Sequence, residues 1–134
     1  MITPEELLKQ AENAMYLAYA PYSNFKVGAA LLCSDGTVFT GCNVENASYG
    51  VTNCAERTAL FKAVSEGNTE FTAIAITGGP DGVPADPCYP CGTCRQALSE
   101  FVSSDFDVYL RDGEGKTVSY KFNELLPLTF NLHE

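Results

Sequence analysis

Three cysteines constrain this fold more than any other feature. Cys54 opens the run Cys54-Ala55-Glu56, and Cys91 and Cys94 lie in Pro90-Cys91-Gly92-Thr93-Cys94. A Cys-x-x-Cys pair places two sulfurs within reach of one metal ion, and a third thiolate has to be carried to them from much earlier in the chain. Three protein ligands leave one position of a tetrahedral zinc open, which separates a catalytic site from a closed four-ligand structural one. The chain has six cysteines in all. In a reducing compartment that number points to metal binding or catalysis rather than to disulfides. The acidic start, Met1-Ile2-Thr3-Pro4-Glu5-Glu6, stands where a secretory signal is positive, so a cytoplasmic location is expected.

The remaining composition narrows the function classes. The length of 134 residues fits a single domain over residues 1–134, since domains run to about 100–200 residues. Apolar residues at 46% and charged residues at 19% describe a folded chain and exclude a disordered one. No stretch approaches the roughly 18–20 apolar residues of a membrane helix. Net charge is −9, from 17 acids against 8 bases. Nucleic-acid binders neutralise phosphates with clustered Lys and Arg. Neither a polynucleotide nor an anionic membrane is an expected partner, whereas a small neutral ligand is.

Local signals predict the order α-β-β-α-β-α-β-β-α. Thr3 caps a helix with Pro4 in its first turn and Glu6 completing a capping box, and apolar residues recur at helical spacing to Ala18. Phe25–Cys33 reads as a strand and 37–43 as its return, joined by Asp35-Gly36. Residues 44–53 look irregular. A helix is expected over 54–66, a strand over 71–77, a Gly- and Pro-rich loop over 78–90 and a helix over 91–102. Strands at 106–110 and 117–122 follow, then a short helix capped by Asn123 and stopped by Pro127. Strands separated by helices predict a three-layer α-β-α sandwich around a five-stranded mixed sheet.

Cys54 and Cys91 both fall at predicted helix starts, where free N–H groups and partial positive charge favour thiolates. Zinc held by three thiolates carries one net negative charge, which weakens it as a Lewis acid. A donor to sulfur restores that acidity. Arg57 and Arg95 are the two candidates for this outer position, with Arg57 favoured. Glu56 lies too close to Cys54 for both to chelate comfortably. It is better placed beside the open position, moving a proton from water to a substrate nitrogen.

Cys54-Ala55-Glu56 with Pro90-Cys91-x-x-Cys94 resembles the zinc nucleoside deaminase signature in its three-cysteine form. The likeness spans almost the whole chain. It includes residues 20–31, from Ala20-Pro21-Tyr22-Ser23 to Leu31, then Gly41-Cys42-Asn43-Val44-Glu45-Asn46, and Glu124-Leu125-Leu126-Pro127. It is to the small, homotetrameric cytidine deaminases. The resemblance implies one zinc per chain on Cys54, Cys91 and Cys94, with Glu56 shuttling protons. It implies that Phe25 stacks on the pyrimidine, that Asn43 and Glu45 bind the ribose hydroxyls, and that the Ala55 N–H meets the 2-oxo group. Tyr49 would lie near a subunit contact by the ribose, and Phe130 would reach a neighbouring subunit's site, so that active sites are shared. The implied reaction converts cytidine and 2′-deoxycytidine to uridine and 2′-deoxyuridine with release of ammonia.

Two features depart from that pattern. Tyr89 precedes Pro90 where a small residue is usual, and Cys88-x-x-Cys91 offers a rival metal pair. Loop 78–86 is rich in Gly, Pro and Asp. Cys33 and Cys42 read as small buried hydrophobes, and His133 as part of a frayed terminus. A deaminase of another aminopyrimidine nucleoside, a polynucleotide editor and a non-catalytic zinc-stabilised binding module are the alternatives.

Overall fold

The structure is a computed structural model that describes residues 2–84, 87–130 and 132. His133, and Asp86 at the end of loop 78–86, lie outside the described residues. Helix α1 (Pro4–Met15) opens on the expected capping box. The Glu6 N–H donates to Thr3 Oγ1 at 3.1 Å, and the Thr3 N–H donates to Glu6 Oε1 at 2.8 Å. The helix stops short of Ala18 because the chain has to pair elsewhere. The Tyr19 N–H donates to the Asn43 carbonyl at 3.0 Å and the Glu45 N–H returns to the Tyr19 carbonyl at 2.8 Å. A straight continuation of α1 would carry Tyr19 away from that segment.

Five strands form one sheet: β1 (Phe25–Cys33), β2 (Val38–Cys42), β3 (Phe71–Pro80), β4 (Asp107–Arg111) and β5 (Thr117–Lys121). Their spatial order is β2-β1-β3-β4-β5. Only β3 and β4 are parallel; the other neighbours are antiparallel. A parallel pair needs a crossover, and α3 (Gly92–Ser99) lies within it. Helix α2 (Ala55–Ser65) joins β2 to β3, and α4 (Phe122–Leu125) follows β5. The last helix begins at Phe122 rather than after Asn123. Phe122 is buried edge-on against Phe106, with ring centroids 6.3 Å apart, and this anchors the turn two residues early.

Alternation along β1 sorts the core onto two faces, since successive strand residues point opposite ways. Ala30 and Leu32 pack with Leu7, Leu8 and Ala11 of α1. Ala29 and Leu31 pack with Ala59, Leu60 and Ala63 of α2 and Leu98 of α3. The result is the expected α-β-α sandwich, with α1 on one face and α2 and α3 on the other.

Strand β3 runs three residues past the expected end at Thr77. Gly78, Gly79 and Pro80 pair with Val27, Lys26 and Phe25. A Cβ on Gly78 would stand 2.7 Å from the Lys26 carbonyl oxygen, so this glycine marks close approach of two backbones rather than a loop. Gly41 does the same for α2: a Cβ there would lie 2.5 Å from the Ala59 nitrogen and 2.6 Å from the Ala55 oxygen. That contact seats the first turn of α2, with Cys54 and Glu56, directly on β2. Among the described residues no helix is long and apolar enough to cross a membrane.

Candidate active site

The N-termini of α2 and α3 converge. Cys54 is the N-cap of α2, and Cys91 is the N-cap of α3, its sulfur accepting from the Cys94 N–H at 3.4 Å. Cys94 lies one turn into α3 and is buried. The Cys54 and Cys91 sulfurs are 3.7 Å apart and those of Cys91 and Cys94 3.4 Å. All three lie within 4.8 Å of one another. A tetrahedral zinc with Zn–S of about 2.3 Å spaces its sulfurs about 3.8 Å apart, so the donor set fits one such ion. The Cys54 and Cys94 thiols compete for a proton. Contact with the Cys94 thiol, and then the Arg57 guanidinium, holds Cys54 at about 5 against the opposing effect of burial. The same contact, with burial, holds Cys94 well above the ordinary thiol range.

Thr58 locks the start of α2 to the end of β2. Its single hydroxyl proton is shared between the Cys42 carbonyl at 3.0 Å and the Cys54 carbonyl at 3.1 Å, and the oxygen accepts from Asn53 Nδ2 at 3.2 Å. Glu56 follows inside that first turn and is only 4% exposed. Burial pushes its carboxyl up to about 7, and the Cys54 charge adds to the rise. A carboxyl that both holds and releases a proton near neutrality is suited to acid–base work.

The structure separates the two arginines. Arg57 Nη2 donates to the Cys54 sulfur at 3.4 Å, and its Nε is buried with no partner among the described residues. Arg95 turns to the backbone instead, donating from Nε to the Pro90 carbonyl at 2.8 Å and from Nη1 to the Leu125 carbonyl at 2.6 Å. Cys88 stands outside the sulfur cluster. It packs against the core, and burial pushes its thiol up to about 12. The rival Cys88–Cys91 pair is therefore not the one the fold assembles, because the sulfurs that converge are those of Cys54, Cys91 and Cys94.

A cavity of about 170 Å³ opens beside these groups, walled by Val27, Asn43, Ala55, Glu56, Cys88 and Tyr89 together with Cys54 and Cys91. Asn43 is strapped to β1: its Oδ1 accepts from the Val27 N–H and its Nδ2 donates to the Phe25 carbonyl, both at 2.8 Å. Phe25 starts β1 and is 40% exposed. Glu45 and Tyr49 line a second, more open cavity of about 290 Å³. Thr52 borders both cavities. The Glu45 carboxylate accepts from the Tyr22 N–H at 3.0 Å, the Ser23 N–H at 3.1 Å and the Ser23 hydroxyl. Those bonds, the Ser23 hydroxyl first, hold it below the usual carboxylate range. Tyr49 is 82% exposed and Phe130 69%. The Phe130 carbonyl accepts from Gln96 Nε2 of α3 at 3.1 Å. Thr52, Asn53 and Val27 border the first cavity without any sequence signal, because their residue types are ordinary and only the fold brings them there.

Three convergent sulfurs beside a buried carboxyl, at the edge of an α-β-α sandwich, define a metal-dependent hydrolytic centre. Comparison with known proteins gives the particular class. A model of the "Cytidine and deoxycytidylate deaminase zinc-binding region" matches residues 1–110. A cytidine deaminase of Halalkalibacterium halodurans is 49% identical over 96% of this chain and 94% of its own. One from Sporosarcina psychrophila is 46% identical over 95% of this chain and 90% of its own. The crystal structure of cytidine deaminase from Burkholderia pseudomallei superposes with a TM-score of 0.87 at 49% identity, covering 96% of this chain and all of that one. The chain belongs to the cytidine and deoxycytidylate deaminase family.

Proposed function

We propose that this chain is a zinc-dependent hydrolase that deaminates cytidine and 2′-deoxycytidine, taking up water and releasing ammonia to leave uridine and 2′-deoxyuridine. The observation that carries the reading is Glu56, a buried carboxyl poised near neutrality beside three sulfurs that fit one zinc. Names of the relatives agree with it.

Cys54, Cys91 and Cys94 would hold the ion. When bound, zinc supplies the positive charge that makes water acidic enough to attack C4. Glu56 takes the proton that water gives up and delivers it to N3; it then takes the remaining proton from the new C4 hydroxyl and delivers it to the amino nitrogen, so that the C4–N bond breaks, ammonia leaves and the C4 carbonyl forms. Arg57 draws charge from the Cys54 sulfur, offsetting the excess negative charge of three thiolates. The Ala55 N–H lies in the first turn of α2, where backbone donors lack intrahelical partners, and serves the 2-oxo group. Phe25 stacks on the pyrimidine. Asn43 keeps one amide hydrogen and one lone pair beyond its two bonds to β1, and with Glu45 it serves the ribose hydroxyls.

Residues 1–134 act as one domain in a cytoplasmic homotetramer of pyrimidine salvage. Leu17, Tyr19, Tyr22, Tyr49, Val51 and Phe130 are exposed on the single chain and would be available to such an assembly. In it Tyr49 would lie at a subunit contact and Phe130 would complete a neighbour's site. Net charge of −9 supports free nucleosides, not polynucleotides or membranes, as partners. An ultraviolet assay of cytidine loss, with zinc quantified in the same sample, tests the reading. Uridine formation by a zinc-loaded protein is expected; zinc-loaded protein inert toward both nucleosides would overturn it.

A further inference from the structure

The cavity beside Glu56 measures about 170 Å³, well below the roughly 300–1,000 Å³ of ordinary ligand clefts. Its wall is mostly fixed by the fold. Cys54, Ala55 and Glu56 come from the start of α2, and Asn43 is strapped to β1 beside Val27. Thr52, Asn53, Cys88 and Tyr89 come instead from outside the helices and strands, the last two from the irregular segment that leads into Cys91. Such a segment defines a wall only if something outside the cavity holds it.

Tyr89 has that hold. Its ring meets Tyr120 edge-on, with centroids 5.8 Å apart and planes at 63°. The two hydroxyls are hydrogen-bonded at 3.3 Å. Tyr120 sits on β5 opposite Val108 of β4, so the sheet itself sets where Tyr89 stands. The next residue is braced as well, its carbonyl accepting from Arg95 Nε at 2.8 Å. Tyr89 remains 49% exposed, which places its ring at the boundary between cavity and solvent.

We propose that Tyr89, positioned by Tyr120, is a specificity-determining residue that excludes pyrimidine nucleosides with large substituents at C5. C5 adjoins the reacting C4, so a group on C5 enters the same small cavity that holds Glu56. This inference rests on the deaminase reading above. Tyr89 is the largest side chain of the wall, and Tyr120, which it meets, stands outside the cavity.

The test compares kcat/KM for cytidine, 5-methylcytidine and 5-iodocytidine in the zinc-loaded protein and its variants. In Tyr89→Ser the ratio of 5-iodocytidine to cytidine is expected to rise by about tenfold or more, the scale on which a pocket wall discriminates by size. Tyr89→Phe and Tyr120→Phe remove the same hydrogen bond and are expected to raise the ratio alike, by about threefold. The double variant should add nothing further. A Tyr89→Ser protein that turns over cytidine with an unshifted ratio overturns the inference. If that variant loses zinc, the two Phe variants decide: a matched rise supports the inference and an unchanged ratio in both overturns it. Wild-type protein inert toward cytidine would instead remove the deaminase reading, and this inference with it.

Discussion

Arg57 donates to the Cys54 sulfur from Nη2 at 3.4 Å, and Cys54 caps the helix on which Arg57 lies. The sulfur of this N-cap residue therefore meets a guanidinium, which favours the thiolate. Arg57→Ala is expected to keep the fold and to lower kcat by about 10–100-fold, the usual cost of losing a partner to a metal ligand. The variant should also release zinc to a chelator sooner than wild type. Arg57→Lys restores charge without the planar fork and should fall between the two. Steady-state rates and the time course of zinc release check this.

Gly41 is where α2 meets the sheet. A Cβ at that position would stand 2.5 Å from the Ala59 nitrogen, so α2 must move to admit it. Gly41→Ala is expected to cost about 1–3 kcal/mol of stability, as overpacking does, and to weaken zinc binding because Cys54 moves with the helix. Gly50→Ala is the control, since a Cβ there meets nothing within 4 Å. Denaturant unfolding and zinc content of the two variants give the comparison. Equal stability in both would mean that α2 does not rest on Gly41.

Local chemistry made part of this molecule legible. The capping box of Thr3 and Glu6 and the helix starts at Cys54 and Cys91 depend on neighbours in sequence, so they could be read directly. Features decided by distant partners could not. The end of α1 depends on Tyr19 pairing with Asn43 and Glu45, and the extension of β3 depends on Gly78 and Pro80 meeting Val27 and Phe25. Arg57 and Arg95 each stand near a cysteine in sequence. Only the packing shows that one reaches a sulfur while the other braces the Pro90 and Leu125 carbonyls. Asn43 was legible as a polar residue of the site but not as the strap that fixes Val27 and Phe25.

Glu45 links pH to the loop at Tyr22 and Ser23. Its carboxyl titrates below the ordinary 4.5 because the folded state supplies donors, the Ser23 hydroxyl foremost. A depressed folded value means that the stabilisation is complete above the unfolded value and is lost as pH falls through the folded one. Between about pH 6 and pH 3, the melting temperature of wild type should therefore fall more than that of Glu45→Gln. Parallel declines in the two proteins would show that the Glu45 bonds contribute nothing to stability.

The central claim is that the buried Glu56 carboxyl moves the protons while the three sulfurs hold the metal, two separable jobs. Glu56→Gln keeps the volume and removes the proton carrier. Cytidine loss followed in the ultraviolet, with zinc measured on the same preparation, is the most direct measurement. The expected result is an undiminished zinc content with turnover reduced by at least about a hundredfold. A zinc-loaded Glu56→Gln protein that deaminates cytidine at the wild-type rate would contradict the account.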